Sequence, residues 1–195
     1  MSAYIFMKIL ESAPSRYDQG IHILTLGRLD KAYDRLVSHI TNGQQVIDLG
    51  SGTGALALRA AQRGAIVKGI DINPQMLDIA RERASELSLD QNVYFSEMGV
   101  AELDRENSES YNAVTSGLCF SELTEDELTY TLRQVERILK PGGLLLVADE
   151  VMPENIAARV FSWLIRLPLV VVTYVVTQTI SHAVADLPRK VKATG

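Results

Sequence analysis

The sequence predicts an α/β domain built on a doubly wound, mostly parallel sheet. From residue 44 short apolar runs alternate with helical patterns, the order that lays parallel strands side by side under helices. The stretch VIDLGSGTGALAL, Val46 to Leu58, takes one such run through three alternate glycines into a helix. The groups that follow the runs are acidic, small or polar, which places a ligand edge beyond the strand ends.

The elements follow in order. Val46–Leu49 is the first strand, and Ala55–Arg63 the helix after the glycine turn. Ile66–Ile70 is the second strand and ends at Asp71. Asn73 then caps a helix that opens with Pro74, a favoured pair at a helix N-terminus. Its packed face is expected to be Met76, Ala80, Ala84 and Leu87, at helical period. Val93–Ser96 is the third strand and Asn112–Ser116 the fourth. Thr124 and Glu127 form a capping box, and the helix behind them buries Leu128, Leu132, Val135 and Leu139. Lys140-Pro141-Gly142-Gly143 stops it as a turn, and Leu144–Ala148 is the fifth strand. Residues 1–43 read as a helical cover over the ligand edge, 44–150 as the core, and 151–195 as an apolar helical segment.

Composition narrows the function. The 195 residues suit one domain, and a net charge of −5 leaves no basic footprint for nucleic acid. Cys119 is the single cysteine, so no disulfide framework exists. With only three histidines, no zinc-ligand spacing is present. The first residues lack a signal-peptide pattern, and a cytoplasmic setting is expected.

The glycine turn is the main chemical signal. Gly50-Ser51-Gly52-Thr53-Gly54-Ala55 satisfies the relaxed dinucleotide pattern, and Asp71 stands about twenty residues on, where an acid would hold a ribose. Yet Asp48 precedes the turn, and no lysine or arginine lies within it. A ligand edge without a cation suits a ligand that carries positive charge.

The motifs VIDLGSGTG, GIDINPQML and YNAVTSGLCFSEL followed by LKPGGLLLVADE resemble the class I S-adenosylmethionine-dependent methyltransferases, which share a Rossmann-like sheet. SAPSRYDQGIHILTLGRLDKAYDRL is similar to the entry segment of the menaquinone/ubiquinone-biosynthesis C-methyltransferases. ESAPSRYDQG and SGLCFSELTEDEL also resemble the methyltransferase branch associated with corrinoid proteins.

The resemblance implies S-adenosyl-L-methionine as cofactor. Backbone at Gly50, Ser51, Gly52, Thr53 and Gly54 would admit its methionyl part, with Asp48 balancing the positive end. Asp71 would accept from both ribose hydroxyls, as a carboxylate with two oxygens can. Ile72 would lie on the adenine, and Met76 would be a further cofactor contact. Gly99, Val100 and Ala101 would border the adenine edge, and Ser116, Gly117 and Leu118 the methionine side. Many relatives place an aspartate where Val100 stands, so the base is left to backbone groups or to Glu102.

Methyl transfer needs alignment more than a dedicated base. Tyr17 is the candidate for contact near the methyl group, and His22 for a general base. Cys119 is expected to be a small buried residue, and Glu122 and Glu150 to lie at the rim. The acceptor is expected to be a small molecule or a prosthetic group. Two rivals stay open: an NAD(P)-dependent oxidoreductase, and a non-catalytic accessory protein that keeps the cofactor fold.

Val160 to Ile180 is strongly apolar but is interrupted by Arg166 and Pro168. An arginine at mid-span costs about 2.5–3.5 kcal/mol on insertion scales. A buried helix, an apolar lid or partner surface, and a membrane segment are the three readings of 160–180; the second and third bring peripheral membrane or protein contact. No sixth and seventh strand is legible after His182, so the closing β-hairpin is expected to be missing or truncated. The open sheet edge this would leave invites a homodimer.

Overall fold

The computed structural model describes His22, Thr25, residues 27–149 and residues 190–191. Five strands form one sheet: β1 (Gln45–Leu49), β2 (Ile66–Asp71), β3 (Val93–Glu97), β4 (Tyr111–Gly117) and β5 (Leu139–Ala148). Their order is β3-β2-β1-β4-β5, and every pair is parallel. The doubly wound α/β expectation is therefore met. Among the described residues four helices cover the sheet: α1 (Arg28–Val37), α2 (Ala55–Gln62), α3 (Pro74–Glu86) and α4 (Glu125–Ile138).

Two cores flank the sheet. On one face Tyr33 and Val37 of α1, Leu56 and Ala60 of α2, and Leu77 and Ala80 of α3 pack on Val46 and Val67. On the other face Leu128, Leu132, Val135 and Ile138 of α4 pack on Ile47, Leu49 and Val114. Alternate residues of β1 thus serve opposite cores, which is why a central parallel strand reads as an unbroken apolar run.

The caps sit as their chemistry requires. Asn73 Oδ1 accepts from the backbone N–H groups of Gln75 and Met76 at 3.1 and 3.4 Å, and Thr124 and Glu127 complete a reciprocal box. Three local expectations are corrected. Leu87 is exposed, because α3 ends at Glu86, and Leu77 joins Met76, Ala80 and Ala84 among the buried residues. Ile138, not Leu139, is the last buried residue of α4, and Leu139 already starts β5. Lys140 to Gly143 lie inside β5, where the pairing jumps from Tyr111 with Leu139 to Ala113 with Leu144. Pro141 offers no N–H to the ladder and Gly142 sits at φ 77, so the stretch forms an irregularity within the strand.

The chain runs from β1 outward to β2 and β3, then crosses back to β4 on the other side of β1. Loops after β1 and β4 therefore diverge, opening a crevice at the switch point. Tyr17, Glu150, the 160–180 segment and the expected loss of a closing hairpin fall outside the described residues. Among those described, no helix is long and apolar enough to cross a membrane.

Candidate active site

The crevice holds two cavities with a common wall of Gly50, Gly52, Gly117 and Leu118. The first, about 370 Å³, opens toward α1 and α2 and is bordered by His22, Asp30, Tyr33, Ser51, Thr53 and Arg59, among others. The second, about 410 Å³, opens beyond β2 and β3 and is bordered by Asp71, Ile72, Met76, Met98, Gly99, Val100, Cys119 and Glu122. No lysine or arginine lines the second cavity among the described residues.

The glycine turn is held from below. Ser51 N–H donates to the Ile70 carbonyl at 2.8 Å, and Gly54 N–H to the Ser51 carbonyl at 2.8 Å. Gly52 N–H donates to Asp71 Oδ2 at 2.8 Å. These three amides are committed within the protein, so the turn is not an open cradle for a phosphate, which would need such N–H groups free. What the glycines provide is closeness. Gly52 sits at φ 51 with only Met76 Cε within 4 Å of where a Cβ would stand, so backbone forms the cavity wall there.

Asp48 lies under the turn. It is 1% exposed and accepts from the Thr115 hydroxyl at 2.6 Å and the Ser51 hydroxyl at 2.7 Å. Both carboxylate oxygens are thus engaged from within, and its charge acts on a ligand through its field. Burial pushes its pKa up to about 6, against the opposing pull of the Thr115 and Ser51 hydrogen bonds. The raised value fixes the sign of a pH effect: between about pH 4 and 6 the folded state holds a proton that the unfolded state has lost. Stability therefore falls as pH rises through this window, by about 3 kcal/mol at 1.36 kcal/mol per unit. Asp48→Asn removes that component, so denaturant midpoints taken across the window should show the variant gaining on the wild type as pH rises. A constant difference would mean Asp48 is ionised throughout.

Asp71 closes β2 at the second cavity. Oδ2 takes the Gly52 N–H, and Oδ1 takes the Asn73 N–H at 2.8 Å. A carboxylate offers about four lone-pair sites, so each oxygen can accept once more. Next to it Ile72 is 75% exposed, a large apolar side chain bordering the cavity.

The residues expected at the adenine edge divide. Gly99 and Val100 line the second cavity, whereas Ala101 lines neither, and its carbonyl accepts from the Tyr130 hydroxyl at 3.1 Å. Glu102 Oε1 accepts from Gly99 N–H at 3.1 Å, so it caps a short 3₁₀ turn, Val100–Arg105, and does not stand in for the missing aspartate. Ser116 is fully buried below the strand end and lines neither cavity. Gly54, likewise, caps α2 and lines neither. Leu118 adopts φ 62, an uncommon conformation for a branched side chain, and its N–H donates to the Ala148 carbonyl at 2.9 Å.

Electrostatics is visible at Cys119, which overlies Gly50. Burial raises its pKa first, and the charges of Glu122, Asp149, Asp71 and Asp48 raise it further. Its thiol is thus kept protonated, and four carboxylates project negative potential onto one point. Thr115, Tyr33, Asp30 and Arg59 also border or support the site, and no sequence motif marks them. Thr115 and Asp48 are 67 positions apart, and no local pattern announces such a pair.

Comparison with known proteins fits this geometry. The pattern of the methyltransferase-domain family matches residues 46–143. The chain is 31% identical over 153 residues to ubiquinone/menaquinone biosynthesis C-methyltransferase UbiE of Pseudoalteromonas translucida, covering 75% of this chain and 59% of that protein. It spans 50–60% of the length of the curated relatives it matches. Among solved structures it resembles the [4+2]-cyclase SpnF, at 29% identity and TM-score 0.60, over 65% of this chain and 46% of that one. It shares its fold with the YcgJ protein of Bacillus subtilis, at 21% identity and TM-score 0.66, over 85% and 66% of the two chains. The chain belongs to the methyltransferase-domain family, and within it resembles the class I S-adenosylmethionine-dependent C-methyltransferases of the ubiquinone/menaquinone type.

Proposed function

We propose that this protein transfers a methyl group from S-adenosylmethionine to a small-molecule acceptor by in-line displacement. The observation that carries the reading is the second cavity: walled by glycine backbone, faced by carboxylates and, among the described residues, lined by no cation. That donor set suits a nucleoside bearing a sulfonium and an ammonium group. It opposes a pyrophosphate, which would meet Asp71 and Glu122 in the wall and a turn whose Ser51, Gly52 and Gly54 amides are already committed.

When bound, the cofactor supplies the electrophilic methyl group. Asp71 would hold the ribose hydroxyls, and Ile72 would cover the adenine, exchanging its exposure for contact. Gly52, Gly117 and Leu118 would let the methionyl part pass between the two cavities. Val100 offers the base no side-chain acceptor, so recognition there falls to backbone at Gly99 and Val100. The names of the curated relatives make a quinone precursor the first acceptor to test.

Calorimetric titration with S-adenosylmethionine, S-adenosylhomocysteine, NAD and NADP tests the reading. Both sulfur nucleosides are expected to bind and the dinucleotides not. Tight binding of a dinucleotide alone would rule the proposal out. A second reading, retention of the fold for chemistry other than methyl transfer, is favoured by the resemblance to a [4+2]-cyclase. Cofactor binding without incorporation of labelled methyl into any component of a cell extract would support it.

A further inference from the structure

The first cavity contains a side-chain array that none of the proposed cofactor contacts uses. His22 Nδ1 lies 2.6 Å from Asp30 Oδ2. Asp30 Oδ1 accepts from one terminal nitrogen of Arg59 at 2.7 Å. Arg59 also donates through Nε to Asp34 at 3.1 Å, and through its other terminal nitrogen to the Ala55 carbonyl at 2.7 Å. It thus joins α2, the helix leaving the glycine turn, to α1. Its guanidinium carbon lies 5.6 Å from the centre of the Tyr33 ring. Tyr33 in turn fills the space over Gly117, where a Cβ would stand 2.3 Å from the phenol oxygen. Packed elements therefore set where His22 stands relative to the wall between the cavities.

The protonation pattern follows from the partners. The hydrogen bond from His22, and then the Arg59 charge, hold the Asp30 carboxyl below its ordinary range. Asp30 is ionised at neutral pH and can only accept. Nδ1 therefore carries a proton toward Asp30, which makes Nε2 the nitrogen that holds the lone pair whenever the ring bears a single proton. His22 is 64% exposed, so a ligand or solute can reach it.

We infer that His22, oriented by Asp30 and positioned through Arg59, takes a proton from the methyl acceptor, and that the acceptor therefore carries a dissociable proton on or beside the methylated atom. The inference rests on the methyl-transfer reading above. As the acceptor atom bonds to the methyl carbon, the sulfur–methyl bond breaks with its electron pair going to sulfur, and the acceptor proton passes to His22 Nε2. A thioether or a tertiary amine has no proton to give and would leave the pair idle. A hydroxylated ring or an activated carbon acid uses it.

1,4-Dihydroxynaphthalene serves as the probe acceptor, because its methylation at carbon or oxygen releases a proton. Labelled-methyl transfer to it is measured beside calorimetric binding of S-adenosylhomocysteine. His22→Ala is expected to lose about 10²-fold or more in transfer, to bind S-adenosylhomocysteine as the wild type does, and to regain activity with added imidazole. Asp30→Asn and Arg59→Lys lose less. In ligand-free wild-type protein, a two-bond proton–nitrogen spectrum is expected to show His22 as the Nδ1–H tautomer, and Asp30→Asn to move it toward Nε2–H. Transfer by His22→Ala at the wild-type rate, a loss that imidazole does not restore, or an Nε2–H ring in the wild type overturns the inference. So does a wild-type protein that binds the cofactor product but leaves the probe unmethylated. A wild type that binds neither sulfur nucleoside overturns the reading of the site itself, so the two failures are distinct.

Discussion

Asp71→Ala is expected to weaken S-adenosylmethionine binding by about 1.5–3 kcal/mol, on the order of 10- to 100-fold in Kd. The carboxylate acts twice. It is the proposed acceptor for the ribose hydroxyls, and it already fastens the turn through the Gly52 N–H. Removing it takes away a charged hydrogen-bond partner and frees the backbone that forms the cavity wall. S-Adenosylhomocysteine shares the ribose, so its affinity should fall in parallel when both are titrated by calorimetry. Asp71 also accepts from the Gly52 and Asn73 N–H groups, so Tm should fall as well, and the titrations are run well below the variant's melting transition. Unchanged affinity for both ligands would place the ribose elsewhere.

Gly50→Ala should act on stability. Gly50 sits at φ 67, and an added Cβ would lie 2.6 Å from Cys119 Cβ and 2.8 Å from its sulfur. The left-handed backbone costs about 1–2 kcal/mol for a residue with a side chain, and the crowding about 1–3 kcal/mol more. A loss of about 2–5 kcal/mol lowers Tm by on the order of 5–20 °C in a domain of this size. Cys119→Gly in the same chain should recover the crowding share and leave the backbone share. Calorimetric scans of the single and double variants check this, and strictly additive losses would mean that the thiol does not overlie Gly50. Gly52→Ala should cost less, since only Met76 comes within 4 Å of the new methyl group.

The two positions show how legibility differs along the chain. The glycines after β1 and the acid after β2 stand out locally, because a strand ending, a turn needing positive φ, and a helix start fall within a dozen residues. Their partners do not. Cys119 meets Gly50 and Thr115 meets Asp48 only because β1 and β4 lie side by side, and Tyr33 covers Gly117 only because α1 packs on the sheet. The misplacements of Leu87, Leu139 and the Lys140–Gly143 stretch have a related cause. Periodicity states which residues are apolar, but the end of a helix decides which of them reach the core.

By itself, the sequence determined the order of strands and helices, the turn, the capping residues and the acidic, small or polar character of the groups that follow the strands. All of these arise from interactions within one element or between adjacent ones. Only the tertiary structure decided that Asp48 is buried beneath the turn, that Glu102 is spent on a cap, that the turn amides are already bonded, and that His22, Asp30 and Arg59 form one array. Each of those depends on groups brought together by sheet pairing or helix packing. Such contacts join distant positions, and no local period encodes them.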